Sequence, residues 1–229
     1  MISKLTLGAY WDARGESIEQ CRDRLYAFMH GLTQCGEVFS RWFVAGRSRR
    51  NALEREIDVH DRQAILDLLD SARNRNFRKE VIEDLGFHPC AWNGRDSDSE
   101  VTLSITCGLS CEAPGLGGNN VVIELPSKLG DLADPVKASR VLAVVARCWE
   151  PKWAGIFSSD AMNLRDWEQK PFVDWMVYVP RRISSVPTPS TVAELENGGS
   201  LIVVQPSPPA VDKPEDQERI HRIEQIVRP

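Results

Sequence analysis

Asp160 and Asp166, followed by Glu168-Gln169-Lys170, set carboxylates and a lysine in the order used by metal-dependent nucleases, in which acids hold magnesium and an ammonium group positions water. The context argues against that chemistry. Such groups need an apolar strand to fix them, whereas these precede Pro171 in a polar stretch and read as a solvated turn. A magnesium-using nuclease or hydrolase built on Asp160, Glu168 and Lys170 is therefore the alternative reading of this chain.

His88, Cys90, Cys107 and Cys111 supply four soft or borderline ligands of the kind a tetrahedral zinc site requires. Their spacing lacks the tight cysteine pairs of structural zinc sites, and Cys107 falls in the inward register of a strand. No metal site and no cofactor are expected. A nucleophilic serine or cysteine needs a histidine base, but His30, His60, His88 and His221 stand in unrelated contexts and no G-x-S-x-G elbow is present. Gly115-Leu116-Gly117-Gly118 lacks the following Lys-Ser or Lys-Thr of a phosphate cradle and reads as a hairpin loop. Arg41, Arg47, Arg49, Arg50 and Arg55 are interleaved with Glu37, Glu54 and Glu56, the pattern of a solvated, partly paired face. No catalytic residue emerges, and an enzyme is not expected.

These groups must be positioned by a chain of 229 residues, 42% hydrophobic and 27% charged, long enough to bury one sizeable core. The formal charge of -5 disfavours a general nucleic-acid binder and permits a basic protein partner. Its 6 cysteines lack the dense spacing of a secreted disulfide scaffold, which points to reduced thiols in a cytoplasm. The first residues show no long apolar run before a cleavage site, and Val141 to Ala146 is too short to cross a bilayer. A cytoplasmic protein away from the membrane is expected, as a monomer or a homodimer.

Leu5, Leu7, Ala9 and Trp11 alternate as a half-buried strand. Ser17 and Gln20 form a capping box ahead of Ile18, Cys21, Leu25, Phe28, Met29 and Leu32, which predicts a helix over 17–33. A strand over Phe39 to Ala45 precedes a helix capped by Asp61, with Ile65, Leu68 and Leu69 inward. Val101 to Cys107 alternates strictly, and Val121 to Leu125 is a more buried strand reached through the loop from Pro114 to Gly118. A helix capped by Asp134, with Pro135 in its first turn, ends at Pro151. Strands over 173–179 and 201–204 flank an exposed loop at 183–190, and Ile220, Ile223 and Val227 mark a short helix behind Asp212. This order predicts an α+β fold: one domain over 1–205 with an antiparallel or mixed sheet and about three to four helices, then a charged, Pro-containing tail over 206–229.

The tryptophans are more informative than any catalytic motif. Trp149-Glu150-Pro151-Lys152-Trp153 places two indoles around a proline that fixes the backbone between them. With Tyr10-Trp11-Asp12-Ala13-Arg14, Gly86-Phe87, Trp92-Asn93-Gly94, Leu103 to Gly108 and Asn120 to Pro126, it makes a chain that resembles immunity protein family 52 from about Leu5 to Val204. That resemblance implies a non-enzymatic inhibitor that binds a cognate toxin. The toxin would be encoded beside it, delivered by a secretion apparatus such as type VI, and commonly nuclease-like. Trp11, Arg14, Trp149, Glu150, Pro151 and Trp153 are the signature positions and read as structural. For toxin contact the candidates are Tyr10 and Trp92 as anchors and Asp96, Asp98 and Glu100 as steering charges, because buried aromatics dominate protein interfaces and charge sets the association rate. Direct nucleic-acid and membrane contacts are not expected.

Overall fold

Ser17 begins the first helix as its sequence requires. Its hydroxyl accepts from Gln20 N at 3.3 Å and the Gln20 side chain accepts from Ser17 N at 2.9 Å. The capping box therefore closes two otherwise unpaired donors at the start of α1 (Ile18–Thr33), whose buried face is Cys21, Leu25, Phe28, Met29 and Leu32. Replacing Ser17 by Ala opens that box, and the expected loss is about 1 kcal/mol of unfolding free energy. A urea midpoint unchanged in the Ser17→Ala variant would show that the cap is idle.

The computed structural model describes residues 3–46, 48–111 and 118–228. Arg47 and most of the glycine-rich loop, including Gly115-Leu116-Gly117, lie outside the described residues. Among the described residues ten antiparallel strands form an α+β domain with the sheet order β3-β2-β4-β5-β6-β1-β7-β8-β10-β9. In chain order they are β1 (Leu5–Trp11), β2 (Trp42–Val44), β3 (Glu56–Ile57), β4 (Cys90–Trp92), β5 (Thr102–Thr106), β6 (Asn119–Glu124), β7 (Trp153–Ser158), β8 (Met176–Val179), β9 (Thr191–Glu194) and β10 (Ser200–Val203). The remaining helices are α2 (Arg49–Leu53), α3 (Arg62–Ser71), α4 (Pro135–Trp149), α5 (Ser159–Leu164) and α6 (Pro214–Val227). By its contacts the chain divides into two compact units, Tyr10–Ile123 and the remainder.

In the unit over Tyr10–Ile123, α1 packs on α3, which Asp61 caps by accepting from Gln63 N at 2.8 Å. The second strand is shorter than its apolar run suggests. Glu37–Phe39 winds into a 3-10 turn, and Trp42 Nε1 donates to Phe39 O at 3.0 Å, so only Trp42–Val44 pair as a strand. Gly86 explains its place in the Gly86-Phe87 pair. Its φ is 58°, and a Cβ there would lie 2.2 Å from Cys107 O, while Phe87 and Cys107 exchange backbone hydrogen bonds of 2.8 and 3.1 Å.

In the other unit, α4 packs on β7, β8 and β10. Asp134 caps α4 by accepting from Val136 N at 2.9 Å, and Val141, Leu142, Val145 and Trp149 are buried. The helix stops at Trp149 because Glu150 is left-handed, with φ 48° and its N–H on Ala146 O, and Pro151 follows. Trp149 and Trp153 are both buried on either side of this stop. Trp153 joins Phe157, Trp167 and Phe172 in an aromatic cluster with centroid spacings from 4.9 to 6.5 Å. Every residue of β7 is buried, so that strand carries no alternation for a sequence reading to detect.

The strand expected from Val173 starts at Met176. The carbonyl of Val173 accepts from Arg165 Nη1 at 2.6 Å and the Asp174 carboxylate accepts from Ser158 N at 2.7 Å, so both serve α5 before the chain enters the ladder. The last helix is longer than its apolar spacing indicates and starts at Pro214 with Lys213, not Asp212, at its cap. Its Ile220, Ile223 and Val227 are buried in one cluster with Val173, Val177, Val179, Ile202 and Val204.

Candidate functional site

An open groove of about 420 Å³ lies in the Tyr10–Ile123 unit. Trp92 on β4 and Thr102 on β5 line it, and β2 pairs alongside β4. Phe43 on β2 stands opposite Trp92 on β4, and Trp92 opposite Thr102 on β5. The walls come from Ala45, Gly46 and α2 on one side and from Arg95, Ser97 and Glu100 on the other. Trp92 is half-buried, 6.3 Å from the Phe43 ring, and the Arg49 guanidinium lies 5.6 Å from its centroid. The Trp92 Nε1 has no hydrogen-bond acceptor among the described residues.

Trp92-Asn93-Gly94 is a structural unit with one part facing the groove. Asn93 is 3% exposed and uses its whole amide. Its Nδ2 donates to Val38 O at 3.0 Å and Ser99 O at 2.9 Å, and its Oδ1 accepts from Val101 N at 3.0 Å and Arg95 N at 3.3 Å. That one side chain ties both ends of the 93–101 loop to the turn before β2. Gly94 has φ 76°, and a Cβ there would lie 2.5 Å from the Phe43 ring, so only glycine lets the loop close over β2. Arg95 extends the tie by donating to Glu37 O at 3.0 Å and Oε1 at 2.9 Å.

The loop so held presents Asp96, Asp98 and Glu100, all exposed. Asp96 Oδ1 accepts from Ser99 N at 3.1 Å, which turns the loop, and Glu100 reaches the groove wall. Trp92 and Glu100 thus line one cavity, while Asp96 and Asp98 lie on the same loop but not among its lining residues. Tyr10 is not among the residues that line it. It lies half-buried on β1, and burial pushes its phenol up to about 12.

Of the signature positions, Trp11, Trp149, Pro151 and Trp153 are buried, Arg14 is half-buried and Glu150 is exposed. Trp11 is 6% exposed with the Arg14 guanidinium 5.3 Å from its ring, and Glu16 holds Arg14 at 3.3 Å and Arg24 at 2.7 Å. Arg49, Arg95 and Asn93 shape the groove but stand outside the anchor and steering residues read from the sequence. Arg49 belongs there to an arginine run and Asn93 to a motif, and no local pattern shows that the pairing of β2 with β4 brings them to one groove.

The other chemical candidates are dispersed or otherwise engaged. Asp160, Glu168 and Lys170 are exposed. Glu168 N donates to Asp166 Oδ1 at 2.9 Å in a turn, and the Lys170 ammonium lies 6.0 Å from the Trp167 centroid. Among the described residues no group of three or more His, Cys, Asp or Glu could hold a metal ion. His88 Nδ1 pairs with Thr106 Oγ1 at 3.0 Å, and Cys111 Sγ points to Asp84 O at 3.5 Å. The Cys107 thiol is held well above its ordinary value by its contact with Cys21 and by burial. Arg41 forms a bidentate pair with Glu56 at 2.7 and 2.6 Å, and Arg50 lies 3.8 Å from Glu54. No helix among the described residues is long and apolar enough to cross a membrane.

The sequence model described as immunity protein 52 matches residues 5–228. This chain belongs to the immunity protein 52 family. The match runs past Val204, where the motif resemblance ended, to the end of α6. The buried side chains of α6 supply the reason, since the helix completes the core of its unit. No curated protein sequence matches the chain. A solved structure described as a Pseudomonas aeruginosa T6SS protein is similar in fold, with a TM-score of 0.55 at 14% identity, over 96% of this chain and 73% of that one. The family assignment implies an immunity-type role with a cognate toxin as partner.

Proposed function

We propose that this protein neutralises a cognate secreted toxin of the nuclease type by binding it stoichiometrically in the cytoplasm of the producing cell. Family membership over residues 5–228 carries this reading, and the fold likeness to a T6SS protein is consistent with delivery of the toxin by that apparatus. The Trp92 groove is the contact surface, with one indole that offers apolar area, Glu100 at its wall, and Asp96 and Asp98 exposed on the same loop. Carboxylates on an exposed rim raise the association rate with a basic nucleic-acid cleft, and a half-buried indole supplies the anchor.

Co-expression with the toxin encoded beside it is expected to restore growth, and the two chains are expected to co-purify. Trp92→Ala is expected to weaken that complex about 30-fold, mainly through faster dissociation. Growth arrest despite co-expression, with no complex recovered, would refute the immunity role. A Trp92→Ala affinity equal to that of the wild type would remove the groove from the interface while leaving the role intact.

A further inference from the structure

Phe77 is 90% exposed, the most exposed of the large hydrophobic side chains among the described residues. A single exposed apolar residue is ordinary on a protein surface, but this one is held out by a rigid support. Residues 73–82 fold back on themselves through an antiparallel bridge between Arg75 and Val81 and a hydrogen bond from Ile82 N to Asn74 O of 2.9 Å. Asn76 closes the tip. Its N–H donates to Glu80 O at 2.9 Å, its Oδ1 accepts from Arg78 N at 2.9 Å and Glu80 N at 3.0 Å, and its Nδ2 donates to Glu80 Oε2 at 2.8 Å. Lys79 completes the turn in the left-handed region with φ 66°, a conformation costly for a non-glycine residue.

The charges around Phe77 are mainly positive, three cations against the single carboxylate of Glu80. Arg75, Arg78 and Lys79 flank it, the Arg78 guanidinium lies 5.3 Å from its ring, and the opposing Glu80 is already bonded to Asn76. Arg73 belongs to the base of the structure, where it pairs with Asp70 at 2.8 Å and Glu83 at 3.1 Å. A basic tip on a chain of net charge -5 is a local inversion of the molecule's field.

The geometry points to this tip as a second toxin-binding element, a preformed plug in which Phe77 enters an apolar pocket on the toxin and Arg75, Arg78 and Lys79 meet carboxylates at its rim. The inference rests on the immunity reading and adds a contact that the groove does not supply. The turn is already ordered, so binding loses little further conformational entropy there, the condition under which a small aromatic contact contributes most to affinity. Aromatic and basic side chains together also suit single-stranded nucleic acid. The protein partner is favoured because the tip carries one ring, with no second platform among its residues on which successive bases would stack.

The test uses the full chain, with the polypeptide encoded by the adjacent reading frame as probe, and measures association by biolayer interferometry. Phe77→Ala is expected to keep the wild-type melting temperature, since the ring is exposed, and to bind at least 10-fold more weakly. The double variant Arg78→Glu, Lys79→Glu is expected to slow association, with the deficit shrinking as salt rises. Absence of wild-type binding would overturn the immunity reading itself. Wild-type binding left unchanged by Phe77→Ala would overturn only the plug. Two other results would also overturn it: retention of a labelled single-stranded oligonucleotide by the wild type and not by Phe77→Ala, or a wild-type dimer that Phe77→Ala converts to monomer.

Discussion

Asn93→Ala is expected to lower the unfolding free energy by about 3–5 kcal/mol and to abolish toxin binding. The amide has four backbone partners, and truncation leaves two carbonyls and two N–H groups unpaired around a 93–101 loop that no other side chain ties so fully. Val101 is fully buried, so its N–H has no access to water once Asn93 Oδ1 is gone. The loop also carries Asp96, Asp98 and Glu100, and its release removes the rim of the groove. Asn93→Asp separates the two halves of the amide. It keeps both acceptor contacts but sets an oxygen against the carbonyls of Val38 and Ser99, so its carboxyl is held above its ordinary value and its stability is expected to recover as pH falls. Chemical denaturation of both variants with binding measured in parallel checks this. An Asn93→Ala protein of wild-type stability that still binds toxin would refute it.

The second large effect has the opposite sign. Asp174 is fully buried, its Oδ2 accepts from Ser158 N at 2.7 Å and its Oδ1 has no partner among the described residues. Burial raises its carboxyl from 3.8 to about 6, against the lowering influence of the Ser158 hydrogen bonds and of Arg165. A raised folded-state value means that the folded protein holds the proton more tightly than the unfolded chain. The associated stability is complete below the unfolded value, is lost as pH climbs from about 4 to about 6, and is absent at neutral pH, a difference of about 3 kcal/mol. Asp174→Asn keeps an acceptor for Ser158 N and removes the charge. At pH 7.5 it is expected to be more stable than the wild type by about 1–3 kcal/mol, the amide's own unpaired donors reducing the full gain. The gap should close as pH falls toward 4. Urea midpoints for both proteins across that range decide it: a gap independent of pH, or a less stable variant at pH 7.5, would refute this reading of Asp174.

Ion pairs lie in the same unit. Arg165 and Arg228 both hold Glu224 on α6, Arg228 at 2.8 Å, and Arg219 holds Asp216 at 2.8 Å. These contacts join α6 to the segment around α5 and Val173, so the helix is secured by paired charge as well as by its apolar face. Only Asp174 in this region is buried with one oxygen unpaired, which is why its substitution alone is expected to stabilise.

Local chemistry made much of the fold legible. Ser17 with Gln20, Asp61, and Asp134 with Pro135 each mark a helix start, because a cap is a contact between residues two or three apart. Strict alternation marked β5, which has one wet face. The short or fully buried elements escaped. β7 is buried along its whole length, β3 has two residues, and β4 and β9 are recognisable only through the strands beside them. The start of β8 was misplaced because Val173 and Asp174 look like strand residues but bond to Arg165 and Ser158.

The same division holds for function. Trp149-Glu150-Pro151-Lys152-Trp153, Trp92-Asn93-Gly94 and Gly86-Phe87 belong to the set of motifs whose order and spacing together indicate the family, and each records a backbone constraint written in consecutive residues: a left-handed helix stop, a pinned loop, a close approach to Cys107. Trp92 and Glu100 were legible as candidates, but that they line one groove with Arg49 and Arg95 was not. Nor did Phe77, one aromatic in a basic run, announce itself until the Asn76 turn was seen to hold it in solvent. The sequence alone determined the helix caps, the indole signatures and hence the family, because those depend on neighbours along the chain. Only the tertiary structure decided the groove, because pairing β2 with β4 joins residues about 50 positions apart and no local spacing encodes such a pairing, and only it decided the exposure of Phe77, because what covers a side chain is set by the packing of the rest of the chain.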